Sequence, residues 1–294
     1  MTALDYARRL KHRGLVARKR ARTGYVRARD SAFRLYDRHV PYQFDIDRHR
    51  DSWGNLPRMY FLDREPPPGT ETDRTVPDVI YSFWTGDNQM GPARQQGIES
   101  IVAHNPDLAH VLVTPDNLTE FVLPQHPLHP AYAHLSLVHR ADYLRAYFMH
   151  HYGGGYSDIK QTDHGWRHAW QTLSDSPELW AIGYPEVSSA SCGGRDLKLG
   201  PDVRRRFNSL IGYAAFVFRP NSPFTAEWLR EVERRLDFYS QQLVLAPGNT
   251  WGDNPGYPIG WIELGSDLFH PLQLKYLTHI GQDPALLPHL DDHR

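Results

Sequence analysis

Apolar positions along the chain alternate between two spacings. Short, near-continuous apolar runs closed by glycine, proline or aspartate predict buried strands at 78–86 (DVIYSFWTG), 109–117 (AHVLVTPDN), 178–184 (ELWAIGY) and 211–220 (IGYAAFVFRP). Helical spacing predicts helices over 91–106, 136–154 and 222–243. The first has a proline near its start and ends at Asn105-Pro106. The second carries an apolar stripe of Leu137, Tyr143 or Leu144, Tyr147 and Phe148, and stops at glycines. The third opens at a Ser or Asn cap, Ser222 or Asn221. Residues 1–50 also read as helix, YSDI (156–159) as a short strand, and DLFHPL (267–272) as a last strand. The strand–helix–strand order over 78–117 predicts a parallel α/β unit. Consecutive prolines and a glycine at 66–69 make 64–78 a linker. The chain therefore divides into a helical extension with linker (1–75) and one main domain (76–294).

Composition narrows the class. With 40% hydrophobic and 23% charged residues, the 294-residue chain has material for a real core. A net charge of −1 argues against nucleic acid as main partner. One cysteine, Cys192, excludes an internal disulfide and a cysteine-based zinc site, and fits a reducing compartment. No apolar run approaches the ~18 residues that span a bilayer, and no apolar segment follows the charged N-terminus as a signal peptide requires. The expected location is cytoplasmic. Residues 8–29 hold ten Lys or Arg and no acid. They read first as a solvated helical extension. The alternative is a basic arm resting on an anionic polymer or, peripherally, on the inner face of a membrane.

The candidate chemistry lies around MHHYGGGYSDIKQTDHG (149–165). On the helix before it, Asp142 and Arg145 stand at i and i+3, on one face. The structural reading is a surface ion pair. The functional reading is a sugar- or phosphate-binding pair, because the helix runs into the glycine turn that delivers Asp158 to a strand end, where ligands of open α/β sheets bind. Asp158 and Lys160 share one side of an extended strand. Two carboxylates at that spacing would hold Mg²⁺ or Mn²⁺ against a diphosphate. Here the second position is a cation. Either Asp158 holds a divalent ion with help from elsewhere, Asp163 and His164 being close in sequence, or Lys160 itself neutralises a diphosphate. His126, His129, His134 and His139 crowd one region, but no metal-binding helical spacing links them. The Gly/Pro/Trp-rich loop 248–261, with Asp253 and Asn254, reads equally as a sugar-recognition loop or as an ordinary surface loop.

Taken together, VPDVIYSFWTG, HNPDLAHVLVTPDN and RADYLRAYFMHHYGGGYSDIK resemble the donor-binding half of retaining GT-A glycosyltransferases, of the DxD-containing sugar transferase and capsular polysaccharide synthesis type. Clostridial glucosylating toxins are more distant cousins. The resemblance runs over 76–165 in order and spacing, and more loosely to about 275. It implies a GT-A-like, Rossmann-type mixed α/β sheet flanked by helices. It also implies transfer of a hexose from a nucleotide-diphosphate sugar (UDP- or GDP-linked) to a saccharide acceptor, with retention of configuration. Carried over, Trp84 matches the tryptophan that stacks on the base, with Thr85 and Gly86 in the nucleotide loop. Asp142 and Arg145 match the pair contacting ribose and donor sugar. Asp158 matches the first metal-motif aspartate. Lys160 stands where the second is usual, which puts a Mn²⁺ or Mg²⁺ cofactor in doubt. His270 is the candidate for a further metal or phosphate contact, and 207–224 resembles the strand lining the acceptor pocket. Two rivals stay open. A nucleotidyltransferase would show a glycine- and basic-rich loop after the first strand, where 85–97 offers only Arg94. A binding protein of the same fold without turnover is favoured by the Asp-x-Lys substitution.

Overall fold

The computed structural model describes residues 3–73 and 75–290, with side chains from residue 21 onward. Helix α1 (Ala3–His39) opens the chain and ends just before Pro41, short of the 50 residues expected. It carries the basic arm, but the side chains of residues 8–20 lie outside the described residues. The segments 40–73 and 75–77 are irregular, with brief 3-10 turns at Asp47–His49 and Tyr60–Asp63.

Six strands form one mixed sheet: β1 (Val79–Phe83), β2 (Ala109–Val113), β3 (Gly154–Ser157), β4 (Ala181–Pro185), β5 (Ile211–Phe218) and β6 (Ile280–Gln282), in the order β2-β1-β3-β5-β4-β6. β1 runs parallel to β2 and β3, β6 runs parallel to β4, and β5 runs against both β3 and β4. The parallel unit expected at 78–117 is β1, helix α2 (Pro92–His104) and β2. Alternation along β5 sends Phe216 and Phe218 to one face and Ala215 and Val217 to the other. The first face packs an aromatic-rich core under helices α3 (Leu137–His151), α6 (Pro223–Leu245) and α7 (Ser266–Lys275). The second packs a smaller core of Ile80, Ile101, Trp166 and Trp170 under α2 and helix α4 (Arg167–Asp175). Short helix α5 (Gly200–Arg205) receives the end of α1.

Two expectations change. The glycines after α3 stop that helix, but Gly154 and Gly155 are themselves part of β3. Gly153 and Gly154 have φ of +66° and +84°, and a Cβ on Gly154 would lie 2.9 Å from the Val79 carbonyl. The reversal from helix to strand therefore demands glycine there. DLFHPL is not a strand but the body of α7. Leu268, Phe269 and Leu272 reach the core at helical spacing, which a six-residue apolar run cannot reveal. The α7 residue Gln273 then stands in for a strand partner: its Oε1 accepts from Ile211 N at 2.6 Å and its Nε2 donates to Ile211 O at 3.0 Å.

Candidate donor-sugar site

Parallel strands β1 and β3 pair Tyr81 with Tyr156, so Trp84 and Asp158 leave the sheet at the same carboxyl edge. Helix α3 passes beside that edge. Ser136 caps it by accepting from His139 N at 3.2 Å, which sets the phase that turns Asp142 and Arg145 inward.

Arg145 is the hub. Its Nη1 donates to Asp142 Oδ1 in a short ion pair, and its Nη2 donates to Asp158 Oδ1 at 2.7 Å. Its guanidinium lies between two rings, with centroids 4.7 Å away for Tyr156 and 4.5 Å for Tyr213. The Tyr156 hydroxyl donates to Asp158 Oδ1 at 2.6 Å. Burial raises the Asp142 carboxyl pKa, with Arg145 pulling the other way. For Arg145, burial disfavours the charge, but Tyr156, Tyr213 and the two carboxylates outweigh it. Both tyrosines are pushed well up, chiefly by burial, and remain neutral.

The residues that follow β1 join this cluster through α3. Trp84 N donates to Val113 O at 2.9 Å, and its indole Nε1 donates to Asn88 O at 2.8 Å. The Thr85 hydroxyl donates to Leu137 O at 2.6 Å, in the first turn of α3, and Gly86 is buried against the Leu137 side chain. Lys160 is buried just past Asp158, and its backbone N–H donates to Asp158 O at 2.7 Å. Arg94, from the first turn of α2, donates through Nη1 to Ile159 O at 2.7 Å, between the two.

The donor set fits a diphosphate-bridging divalent ion poorly. One carboxylate replaces two, and its Oδ1 already accepts from Arg145 and Tyr156. Among the described residues, no group of three or more His, Cys, Asp or Glu side chains is placed to hold a metal ion. His270 sits in α7. Its Nδ1 accepts from Gly193 N at 2.9 Å and its Nε2 faces Glu186 at 3.4 Å. Asp163 pairs at the surface with His289 at 2.8 Å, and His164 is exposed. His139 is buried against Ser136, Tyr257 and the Gly260 carbonyl, and His129 pairs with Asp237. A cavity of about 380 Å³ near Asp78, Arg167 and Trp170 lies at the amino edge of β1, away from this cluster.

Sequence reading missed Tyr156, Tyr213 and the placement of Arg94. Tyr156 stands in β3 two residues before Asp158, which follows the strand's end, and that spacing is a readable signal. Tyr213 is not readable, because β5 meets β3 only through the sheet order.

Residues 91–165, from the start of α2 to just past Lys160, match the family model described as a glycosyltransferase sugar-binding region containing a DXD motif. This segment is similar to a glycosyltransferase sugar-binding region. It spans about a quarter of the chain and holds Asp142, Arg145, Asp158 and Lys160. The match supports glycosyl transfer in general terms, with a sugar donor and a sugar acceptor as ligands. Asp158-Ile159-Lys160 lies near the end of the matched segment. Among solved structures, one titled "PaToxG Glycosyltransferase" aligns over 73% of this chain and 71% of its own, at 15% identity and a TM-score of 0.35. No curated protein matches the chain. No helix among the described residues is long and apolar enough to cross a membrane.

Proposed function

We propose that the protein moves a hexose from a nucleotide-diphosphate sugar to a saccharide acceptor, with retention of configuration. The observation that carries this is the direct contact of Asp142, Arg145 and Asp158 at the carboxyl edge of β3, inside the sugar-binding region. In this reading Trp84 stacks on the base. Asp142 and Asp158 use their remaining acceptor capacity on donor hydroxyls, and Arg145 fixes both carboxylates. As the glycosidic bond breaks, negative charge grows on the diphosphate, and the site must meet it with fixed positive charge. We assign that task to Lys160 and Arg94, the cations that stand at the turn just past Asp158. The acceptor attacks from the face the leaving group departs. A capsular or cell-surface polysaccharide acceptor, a cytoplasmic location, and contact of the basic α1 with the inner membrane face complete the proposal. We also take residues 1–75 as the extension and 76–294 as the catalytic domain.

The Asp-x-Lys substitution favours a second reading, a nucleotide-sugar-binding protein without turnover. One experiment separates the two. The protein is incubated with a panel of UDP- and GDP-sugars, and binding and nucleoside diphosphate release are both measured. Release that falls by roughly 100-fold or more in Asp142→Asn and Asp158→Asn supports the transferase. Binding without release supports the second reading. Full turnover in both variants defeats the site assignment. Activity is expected to persist in EDTA and to gain nothing from Mn²⁺. Loss in EDTA with recovery on Mn²⁺ would remove Lys160 and Arg94 from their assigned role.

A further inference from the structure

Two tryptophans stand in water beside the donor cluster. Trp251 and Trp261 are 49% and 58% exposed. Their ring centroids are 6.4 Å apart, at 37°, so they form an open V. Leaving a large apolar side chain in water forgoes roughly 1.5–3 kcal/mol of burial. The exposure is not the result of a loose loop. Asn249 Oδ1 accepts from Trp251 N at 3.0 Å and from Gly252 N at 2.7 Å, and Asn254 Oδ1 accepts from Asn249 N at 2.9 Å. The loop is also fastened to the start of α3. The Thr250 carbonyl, next to Trp251, accepts from Val138 N at 3.4 Å. The Gly260 carbonyl, next to Trp261, is met by His139 Nε2 at 3.1 Å. Asp142 follows one helical turn later. After Trp261 the chain reaches Gly265, where a Cβ would lie 3.3 Å from Asp142 Oδ1. Each tryptophan is thus anchored next to the helical turn that leads into the donor cluster.

We propose that Trp251 and Trp261 form the acceptor subsite, a rigid two-ring surface on which a pyranose ring of the saccharide acceptor lies. The C–H face of a pyranose suits the negative face of an indole, and two rings hold it in one orientation. Asp253, exposed between them in sequence, offers an acceptor for ring hydroxyls. Residues 248–261 contain no Lys or Arg, which disfavours an anionic lipid surface as the occupant. This identifies the substrate side of the glycosyl-transfer reading and rests on it.

The test compares wild type with a Trp251→Ala/Trp261→Ala double variant and a Trp251→Phe/Trp261→Phe companion. The probes are an immobilised panel of hexose, hexosamine and hexuronate oligosaccharides, nucleotide-sugar binding by calorimetry, and neutral phosphatidylcholine vesicles. The expected result is oligosaccharide binding by wild type that weakens by roughly tenfold or more in the alanine variant and largely returns in the phenylalanine companion. Nucleotide-sugar binding in the alanine variant reports that the donor cleft is still folded. The proposal is overturned by equal oligosaccharide binding in the alanine variant, or by no oligosaccharide binding in wild type. It is also overturned if the alanine variant loses nucleotide sugar instead, or if vesicles are bound in place of glycans. A wild type that holds oligosaccharides through this pair but binds no nucleotide sugar refutes the transfer reading and leaves the sugar surface standing.

Discussion

Arg145 is a largely buried cation whose two forked nitrogens are divided between Asp142 and Asp158. Removing it leaves Asp142 buried without its counter-charge, so Arg145→Ala should cost about 3–5 kcal/mol, read from the urea midpoint. Arg145→Lys tests a different property. A single ammonium keeps the charge but cannot bridge two carboxylates in fixed geometry. We expect most of the stability to survive and donor turnover to fall by about 100-fold. Equal turnover in the lysine variant would show that the fork is not what orders the site. These residues were legible as types and spacings: the i, i+3 pair and the aspartate beyond the glycines stand out in the sequence. Their mutual saturation was not. Sequence offers Arg145 as a cation for hydroxyls or phosphate, whereas the fold pairs it with two carboxylates. Only the approach of β3 to α3 reveals that.

At the scale of the element, α3 and α6 were readable because long apolar periodicity and a serine cap agree, at Ser136 and Ser222. Helix α7 was not, since six residues fix no period. The end of α3 carries a property that its pattern hides. The His151 ring packs at a tilt against His126 and His150, with centroids at 4.5 and 4.7 Å. Burial, then neighbouring histidines, lowers His150 to about 4 and His151 to about 3. An unfolded histidine titrates near 6.5. Between those values the unfolded chain binds more protons than the folded one. Stability is therefore complete above about pH 6.5 and is lost as pH falls toward 4. Asp142, Glu227 and Glu233, whose carboxyls burial pushes up, act in the opposite sense. The histidine share is isolated by comparing wild type with His150→Gln/His151→Gln. The melting temperature of wild type should drop more steeply between pH 7 and pH 5 than that of the variant. Parallel curves would remove the cluster from any role in acid sensitivity.

For the whole molecule, the sequence gives no reason to expect that α1 is tied to the six-stranded sheet, because the contacts cross more than 150 positions. The side chains of Asp37 and Arg206 are each 5% exposed and pair at 3.0 Å, and Ser209 Oγ donates to Asp37 Oδ2 at 2.6 Å. Asp30, also buried, accepts from Ser188 Oγ at 2.6 Å and from Ser189 Oγ. Arg206 and Ser209 sit in the turn that feeds β5, the strand that presents Tyr213 to Arg145. Asp37→Ala strips Arg206 of its carboxylate while leaving it buried, at a cost of about 3–5 kcal/mol. The expected outcome is a lower urea midpoint for the main cooperative transition, together with faster tryptic cleavage in the basic stretch of α1. Faster cleavage with an unchanged midpoint would instead make α1 an appended arm that comes away without disturbing the sheet. An Asp37→Leu/Arg206→Met pair, which exchanges the ions for apolar volume, should recover most of the loss. If it does, what the buried pair contributes is avoidance of an uncompensated charge at the root of β5, and the docking of α1 itself rests on apolar contact.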